Sequence, residues 1–237
     1  MNKKHFITYG TNKYSRSKYR LKSQVEQLYI FDSITLYDDK NLTKVFKEKH
    51  KEVLSDQHGG GFWIWKYDII KQKLNEIADG DYLVYLDAGC VINQAGKERF
   101  YEYFNMLNDS SYGIISFRMD HKEYVWTTSQ IFNYFNINYN SEIGNSGQAM
   151  ATALIMQKKP HLLKILDEFY KVLDYDDKLF TNIYNKEKQH PGFKDNRHDQ
   201  SVLSILRKIH GSIILSDETL SHLPESKKWP IWAKRFK

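Results

Sequence analysis

The sequence is poor in cysteine and proline and has no long apolar run, and these shortages exclude several classes of protein. Its 237 residues contain one cysteine, Cys90, and four prolines. A disulfide framework and a cysteine-ligated zinc site are therefore excluded. No apolar stretch approaches the roughly 20 residues that cross a bilayer, and the first residues lack the apolar core of a secretory signal. We expect a soluble protein of a reducing compartment, the cytoplasm.

Two phosphate-binding glycine motifs are also missing. The chain contains neither Gly-x-Gly-x-x-Gly nor a glycine-rich loop ending in Gly-Lys-Ser/Thr. Their absence argues against a dinucleotide-binding Rossmann domain and against a P-loop nucleotidase. The net charge of +6 comes from 35 basic and 29 acidic residues that are dispersed along the chain. Nucleic-acid binders concentrate such charge in one stripe, so we expect no nucleic-acid partner.

Enough apolar material is present for one packed domain. Hydrophobic residues make up 41% of the chain and aromatic residues 15%, and the length suits a single core. We assign residues 1–226 to one domain and residues 227–237 to a basic, aromatic tail. Pro230 argues against one continuous helix in this tail.

Strand-like and helix-like patterns alternate through most of the sequence. The predicted strands are 4–9, 33–37, 82–86, 112–117, 149–156 and 213–215. The predicted helices are one capped by Ser15 or Ser17, then 41–54, 62–77, 98–107, 127–135, 160–173 and 199–209. Residues 174–197 form the longest predicted loop. This order predicts an α/β fold with a mainly parallel central sheet and helices on both faces.

The most informative segment is 82–90, YLVYLDAGC. Five apolar or aromatic residues predict a strand that is buried on both faces, and Asp87 follows at its carboxyl end. Ligands of open α/β sheets bind beyond these strand ends, where an acid can hold a cation and, through it, a phosphate. Gly89 permits a tight turn or the close approach of a ligand. The alternative is that Asp87 makes a turn or caps a helix.

Three motifs together resemble the GT-A class of nucleotide-sugar glycosyltransferases, most closely small bacterial or viral capsule and lipopolysaccharide-type enzymes. The motifs are GGGFWIWK at 59–66, YLDAG at 85–89 and RHDQS at 197–201. The resemblance covers most of the chain. It implies a single Rossmann-like GT-A domain and transfer of a sugar from a nucleotide donor, with a UDP-sugar favoured, to a hydroxyl of a surface glycan or glycolipid.

The resemblance also implies roles for individual residues. Asp199 would be the catalytic base and Asp87 would act at the donor. The implied donor site comprises Thr8, Tyr9, Gly10, Arg20, Lys66, Asp87, Ala88 and Gly89. Two alternatives stay open: Asp199 as a helix cap beside a solvent-facing His198, and Lys66 as a solvated lysine.

Metal dependence rests on an incomplete motif. The family places two acids, Asp-x-Asp, on Mn²⁺ or Mg²⁺, whereas this chain has Gly89 at the second acidic position. A divalent ion would be held by Asp87, the donor phosphates and His198 or Asp199. We therefore expect Mn²⁺ or Mg²⁺, with Asp87 and His198 as its protein ligands.

Polar residues after the fourth predicted strand are candidates for the acceptor site. Glu142, Ser146 and Gln148 offer the hydrogen-bond donors and acceptors that a sugar needs. His121, Glu123 and Trp126 follow a strand end and are weaker candidates. His58 is a further candidate for phosphate contact.

The tail combines five cations with three aromatic side chains in 227–237, KKWPIWAKRFK. One interpretation is an anchor on an anionic membrane surface, at the inner face of the cytoplasmic membrane. The other is a tail that packs on the domain with solvated lysines. Two alternative functions also stay open: an inactive nucleotide- or sugar-binding module of the same fold, and a metal-dependent phosphotransferase or hydrolase.

Overall fold

The computed structural model describes residues 2–184 and 186–236. The strands in this part of the chain are β1 (Lys4–Tyr9), β2 (Ser33–Tyr37), β3 (Tyr82–Leu86), β4 (Val91–Ile92), β5 (Ile114–Lys122), β6 (Gly147–Ala149), β7 (Ala153–Gln157), β8 (Ile213–Ser216) and β9 (Ile231–Trp232). The longer helices are Ser15–Glu26, Trp65–Glu76, Lys97–Asp109, Pro160–Tyr175 and Asp199–His210. The shorter ones are Lys44–Lys49, Lys51–Leu54, Glu123–Trp126, Ser129–Tyr134 and Glu142–Asn145.

Seven of the described strands form the central sheet, in the order β2-β1-β3-β7-β5-β6 with β8 paired to β5. β1 pairs in parallel with both β2 and β3, and β5 pairs in parallel with β8. β7 runs antiparallel to β3 and β5, and β6 runs antiparallel to β5. Five strands therefore point one way, so the predicted α/β fold with a mainly parallel sheet is confirmed. β4 and β9 form a separate two-stranded ribbon.

The core has two layers, one on each face of the sheet. In β3, Leu83 and Tyr85 belong to one layer, while Val84 and Leu86 belong to the other. The first layer is completed by the helices Trp65–Glu76, Pro160–Tyr175 and Asp199–His210, and the second by Ser15–Glu26 and Lys97–Asp109. The unbroken apolar run of this strand is explained by burial on both of its faces.

Three predicted elements are interrupted. The predicted helix 41–54 is divided at His50, whose buried ring lies 3.0 Å from the Asp177 carboxylate. The predicted helix 62–77 begins only at Trp65. The predicted strand 149–156 becomes β6 and β7 with a break between them. At this break, Arg207, Lys66 and Gln200 bond to backbone groups that a continuous strand would use in its ladder.

Among the described residues, no helix has both the length and the apolar character required to cross a membrane.

Candidate functional site

Two carboxylates share one buried lysine at the carboxyl end of β3. Lys66 Nζ lies 2.7 Å from Asp199 Oδ2 and 3.6 Å from Asp87 Oδ1. It also donates to the Ala151 carbonyl oxygen at 3.0 Å. Lys66 is 2% exposed and Asp199 is 4% exposed. Charges removed from water in this way need mutual compensation, so the interpretation of Lys66 as a solvated lysine is wrong.

A left-handed turn precedes the helix that carries Lys66. The five residues 59–63 all have φ between 52° and 93°. Glycine accepts this conformation readily, but Phe62 and Trp63 adopt it at about 1 kcal/mol each. The Trp65 indole closes the turn by donating to the Gly59 carbonyl at 2.8 Å. The triple glycine is therefore part of an ordered left-handed turn, and the helix Trp65–Glu76 begins shortly after that turn.

Burial and mutual charge set the protonation of the three groups. Burial alone lowers the pKa of Lys66, but the carboxylates of Asp199 and Asp87 outweigh it and hold the pKa above its ordinary value. Burial raises the pKa of Asp199 to about 6, against the opposing effect of Lys66. At neutral pH the site thus holds the ammonium of Lys66 beside the carboxylate of Asp199, whose raised pKa makes it a better proton acceptor than an ordinary aspartate.

Asp87 is the more accessible of the two acids, with 29% of its side chain exposed. The hydroxyl of Tyr85, two residues earlier on β3, donates to Asp87 Oδ1 at 2.5 Å. Burial, and then the charge of Asp87, raise the pKa of Tyr85 well above its ordinary value, so this hydroxyl stays a donor. The Tyr85 hydroxyl therefore fixes one oxygen of Asp87, while part of the Asp87 side chain remains accessible to a ligand.

Two buried donors beside these acids have no hydrogen-bond partner among the described residues, namely Tyr67 Oη and Arg207 Nη1. The other terminal nitrogen of Arg207 bonds to the carbonyls of Ala149 and Met150 at 2.7 and 2.8 Å. Burial lowers the pKa of Arg207 to about 10. Burial, and then the charge of Asp199, raise the pKa of Tyr67. Buried polar atoms are seldom left unpaired, so these two atoms have unused capacity for a water or a ligand.

The predicted donor residues gather at the ends of the parallel strands β1 and β3. The Thr8 hydroxyl donates to the Leu86 carbonyl at 2.7 Å, and Arg20 Nη2 donates to the Ala88 carbonyl at 3.1 Å. Tyr9 is buried and stacks on Trp65 with ring centroids 3.6 Å apart. Gly10 is buried and donates its N–H to the Tyr37 carbonyl at 3.1 Å. Ala88 and Gly89 directly follow Asp87. The structure thus brings the predicted donor set together, although Thr8 and Tyr9 already have protein partners.

The helix-cap alternative for Asp199 required His198 to face solvent. In the structure the His198 side chain is buried. It is 6% exposed, and its Nδ1–H donates to the Phe180 carbonyl at 2.8 Å. Its ring packs among those of His58, Phe62 and Trp63. Burial lowers the pKa of His198 to about 4, which keeps the ring neutral. Its backbone φ of 56° is strained for a non-glycine residue.

The residues present do not form a ready metal cage. Within residues 2–184 and 186–236, no three His, Cys, Asp or Glu side chains gather as metal ligands. Asp87 is bonded to Tyr85, and Asp199 is paired with Lys66. A lysine ammonium therefore occupies the position between the two acids. Binding of Mn²⁺ or Mg²⁺ stays a prediction.

The predicted acceptor residues have unequal surroundings. Glu142 is exposed, in the first turn of a short helix. The Ser146 hydroxyl donates to the Ile143 carbonyl at 2.7 Å. Gln148 is fully buried: its amide donates to Glu123 at 3.0 Å and its carbonyl accepts from Gln200 at 2.7 Å. Gln148 is thus part of an internal network, whereas Glu142 is open to solvent.

Most of the tail packs on the domain. Residues of β9 pair with β4, Ile231 is 1% exposed, and the Trp232 indole donates to the Ser226 carbonyl at 3.1 Å. Lys227 and Lys228 are exposed. These contacts correspond to the packed-tail interpretation. Lys237, the last cation of the predicted tail, lies outside the described residues.

Sequence patterns did not reveal Tyr67, Tyr85 or Arg207 as parts of the site. All three are large buried side chains, and in the sequence they look like ordinary core or helix residues. The aromatic ring of a tyrosine fits an apolar sequence pattern, and the pattern does not show what its hydroxyl group contacts. Only the presence of Arg207 within a buried helix face carried a signal, since arginine is almost never buried without a partner.

No protein-family model matches the chain, and no curated protein matches it. Solved structures do match its fold. One is a glycosyltransferase involved in glycosylation of the major capsid of PBCV-1, with a TM-score of 0.56 and 13% identity, covering 97% of this chain and 93% of that one. Another is mouse xyloside xylosyltransferase 1, with a TM-score of 0.53 and 11% identity, covering 90% and 84%. A third is the glycosyltransferase GlyE of Streptococcus pneumoniae TIGR4, with a TM-score of 0.51 and 14% identity, covering 98% and 54%.

At these identities the likeness concerns the fold alone. The chain has the fold of the GT-A glycosyltransferases, as its three sequence motifs predicted. Its architecture extends over nearly the whole length of the viral and the mouse protein.

Proposed function

We propose that this chain is a glycosyltransferase that moves a sugar from a nucleotide-sugar donor to a hydroxyl of a glycan or glycolipid. The observation that carries the proposal is the buried Lys66 between Asp87 and Asp199, at the edge of the sheet where α/β folds bind ligands. An acid whose pKa is strongly shifted beside a specific charge partner, as that of Asp199 is beside Lys66, is typical of functional sites. The fold adds support, because its solved neighbours include a capsid glycosyltransferase and a xylosyltransferase.

In the proposed reaction, Asp199 accepts the proton of the acceptor hydroxyl. The acceptor oxygen then forms a bond to the anomeric carbon, while the bond from this carbon to the phosphate oxygen breaks. The electron pair of the broken bond leaves on the nucleoside diphosphate. Lys66 stabilises the ionised acids and stays protonated. Asp87, with its partly exposed side chain, accepts hydrogen bonds from the donor. Direct proton transfer to Asp199 corresponds to inversion at the anomeric centre.

A UDP-sugar is the first donor to test, and a surface polysaccharide or lipopolysaccharide-type glycan the first acceptor. A hexose as the transferred sugar belongs to the same proposal, and the Mn²⁺, Mg²⁺ and chelator arms of the test below decide whether turnover depends on a divalent ion. The membrane-surface proposal now rests on the exposed Lys227, Lys228 and Phe236. Sedimentation with phosphatidylserine vesicles tests it: Lys227→Glu with Lys228→Glu is expected to reduce binding, and unchanged binding would contradict it.

The test of the central proposal needs no acceptor, because transferases release nucleoside diphosphate slowly by transfer to water. The full chain is incubated with UDP-glucose, UDP-galactose, UDP-N-acetylglucosamine, UDP-xylose and GDP-mannose, each with Mn²⁺, Mg²⁺ or chelator. Released diphosphate is measured. We expect release from one donor and a loss of about 100-fold or more in Asp199→Asn. The matched control, Asp167→Asn, makes the same change at an exposed position and should leave release unchanged.

Binding of a donor without any release, in the presence of candidate glycan acceptors, would favour the inactive binding module. Release that is equal in the wild type and Asp199→Asn would remove Asp199 from the mechanism. A metal-dependent phosphotransferase or hydrolase is disfavoured because such sites use several clustered metal ligands, and the described residues contain no such cluster.

A further inference from the structure

The C-terminal segment 234–236 lies across the loop that follows Asp87. The Phe236 N–H donates to the Gly89 carbonyl oxygen at 2.9 Å. Arg20 Nη2 bridges the same two chain segments, with the Ala88 carbonyl at 3.1 Å and the Phe236 carbonyl at 3.4 Å. The segment is held upstream by the pairing of β9 with β4. Its end is thus fixed over the carboxyl edge of β3.

This segment fills the space beside Gly89. A Cβ atom at position 89 would lie 3.0 Å from the Cα of Arg235 and 3.3 Å from its carbonyl carbon. The backbone φ of Gly89 is not in the positive region, so it is this close approach, and not the backbone conformation, that favours glycine here. A carboxylate at position 89 would displace the segment. The position at which an Asp-x-Asp motif has its second acid is therefore packed against the backbone of a cationic residue.

Cations collect around this loop without anionic partners. Among the described residues, Arg20, Lys234 and Arg235 take part in no ion pair. The guanidinium of Arg20 lies over the Phe236 ring, 5.1 Å from its centroid, and its Nε is buried without a hydrogen-bond partner. Lys234 and Arg235 are exposed. The Nη1 of Arg20 also donates to Gln24 Oε1 at 3.1 Å, so its hydrogen bonds go to neutral acceptors only. Guanidinium groups that lack a carboxylate partner beside a ligand-binding strand end suit a phosphate ligand.

We propose that Arg20 and Arg235 form an arginine clamp for the diphosphate of the donor, held over Gly89 by the C-terminal segment. The inference rests on the proposed glycosyltransferase function. The clamp supplies the positive charge for which a metal ion would otherwise be needed, and it stabilises the charge that develops on the departing diphosphate. Nucleoside diphosphate binding is therefore independent of a divalent ion, and Gly89 is required for it.

The experiment is titration calorimetry of UDP and GDP against the full chain, in chelator and in Mn²⁺. We expect one nucleotide to bind with dissociation constants that agree within about threefold in the two buffers. Arg235→Ala and Arg20→Ala should each weaken binding about tenfold or more, the loss expected for a charge-assisted hydrogen bond. Arg20→Lys, which retains the charge but not the planar fork, should give an intermediate loss.

Two further variants separate the clamp from a general charge effect. Gly89→Ala removes no charge but adds the methyl group that approaches Arg235, and it should weaken binding at least about fivefold. Lys228→Ala removes one positive charge from the same tail at an exposed position, and it should leave the dissociation constant unchanged. Thermal midpoints of all variants show whether the fold is retained.

Nucleotide binding that requires Mn²⁺ and is unaffected by Arg235→Ala would overturn the clamp, while donor turnover would leave the glycosyltransferase proposal in place. Equal losses in Lys228→Ala and Arg235→Ala would overturn it as well, since the effect would then be one of net charge. Absence of both nucleotide binding and donor turnover would overturn the clamp together with the proposed function.

Discussion

The protein contains two sites in which acids lie beside a lysine, one at Glu123 and the other at Asp87 and Asp199. The two sites differ in how fully their hydrogen-bonding groups are paired. Glu123 is 0% exposed. One of its oxygens accepts from Thr127 and Gln148 at 2.9 and 3.0 Å. The other accepts from Ser204 and from Lys208. The two aspartates, in contrast, share the single ammonium of Lys66, and two donors near them have no partner among the described residues.

The difference separates a structural network from the candidate functional site. A buried polar network with every member satisfied rigidifies the core, and Glu123 joins the helices Glu123–Trp126 and Asp199–His210 in this way. A network with excess negative charge and unpaired donors has capacity left for another molecule. Glu123, a weak acceptor candidate in the sequence, therefore belongs to the core, and the aspartate site is the one that has hydrogen-bonding capacity left for a ligand.

The largest effect is expected from Lys66→Met. Two acids would lose their shared cation, so donor turnover should disappear and the free energy of unfolding should fall by about 3 kcal/mol at neutral pH. Urea denaturation and diphosphate release measure the two effects. The double variant with Asp199→Asn should recover most of the stability but none of the turnover. Full turnover in the single variant would contradict the functional role of the aspartate site, because Lys66 would then be a structural cation only.

Glu123→Gln should lower the stability of the protein without affecting nucleotide binding. The variant weakens the charge-assisted bond from Lys208 and leaves donors around position 123 poorly matched, so the free energy of unfolding should fall by about 2 kcal/mol. Nucleotide affinity, measured by calorimetry, should stay within about twofold of the wild type. A loss of affinity without a loss of stability would show that the complete network also serves the ligand site.

A smaller, pH-dependent effect is expected from Asp199. Its ionised form accepts the acceptor proton, so turnover should rise as the pH rises through about 6. Its folded-state pKa lies above the ordinary 3.8, so between 3.8 and about 6 the folded protein retains a proton that the unfolded chain has lost. The contribution of Asp199 to stability therefore falls with rising pH in this window. The difference in thermal midpoint between the wild type and Asp199→Asn should therefore fall as the pH rises through this window. A difference that does not change with pH would contradict the prediction.

The smallest effect is expected from Tyr67→Phe. The Tyr67 hydroxyl makes no well-formed hydrogen bond among the described residues, although it lies near the Asp199 carboxylate, so its removal should change stability by less than about 1 kcal/mol, or increase it. The matched control is Tyr170→Phe, which removes a hydroxyl that donates to the Tyr67 carbonyl at 2.7 Å and should lower stability by about 1 kcal/mol. A larger loss in Tyr67→Phe than in Tyr170→Phe would mean that the first hydroxyl is satisfied in solution.

Local patterns predicted the fold more completely than the site. The predicted strands 4–9, 33–37 and 82–86 coincide with β1, β2 and β3, because their side chains follow apolar patterns that few other structures tolerate. The break between β6 and β7 was not predictable, since its carbonyls are satisfied by side chains from distant helices. Asp87 and Asp199 were chosen from motifs. Their surroundings were not visible in those motifs.

What the sequence determined by itself was the alternation of strands and helices and the location of Asp87 at a strand end. These features depend on residues a few positions apart. The tertiary structure decided which distant residues meet. Lys66 and Asp199 are 133 positions apart, and Phe236 contacts the loop at Gly89 from a distant part of the sequence. An apolar pattern is satisfied by any apolar surface, whereas a buried charge needs a particular partner at hydrogen-bond distance, and packing of the two layers on the sheet brings that partner into place.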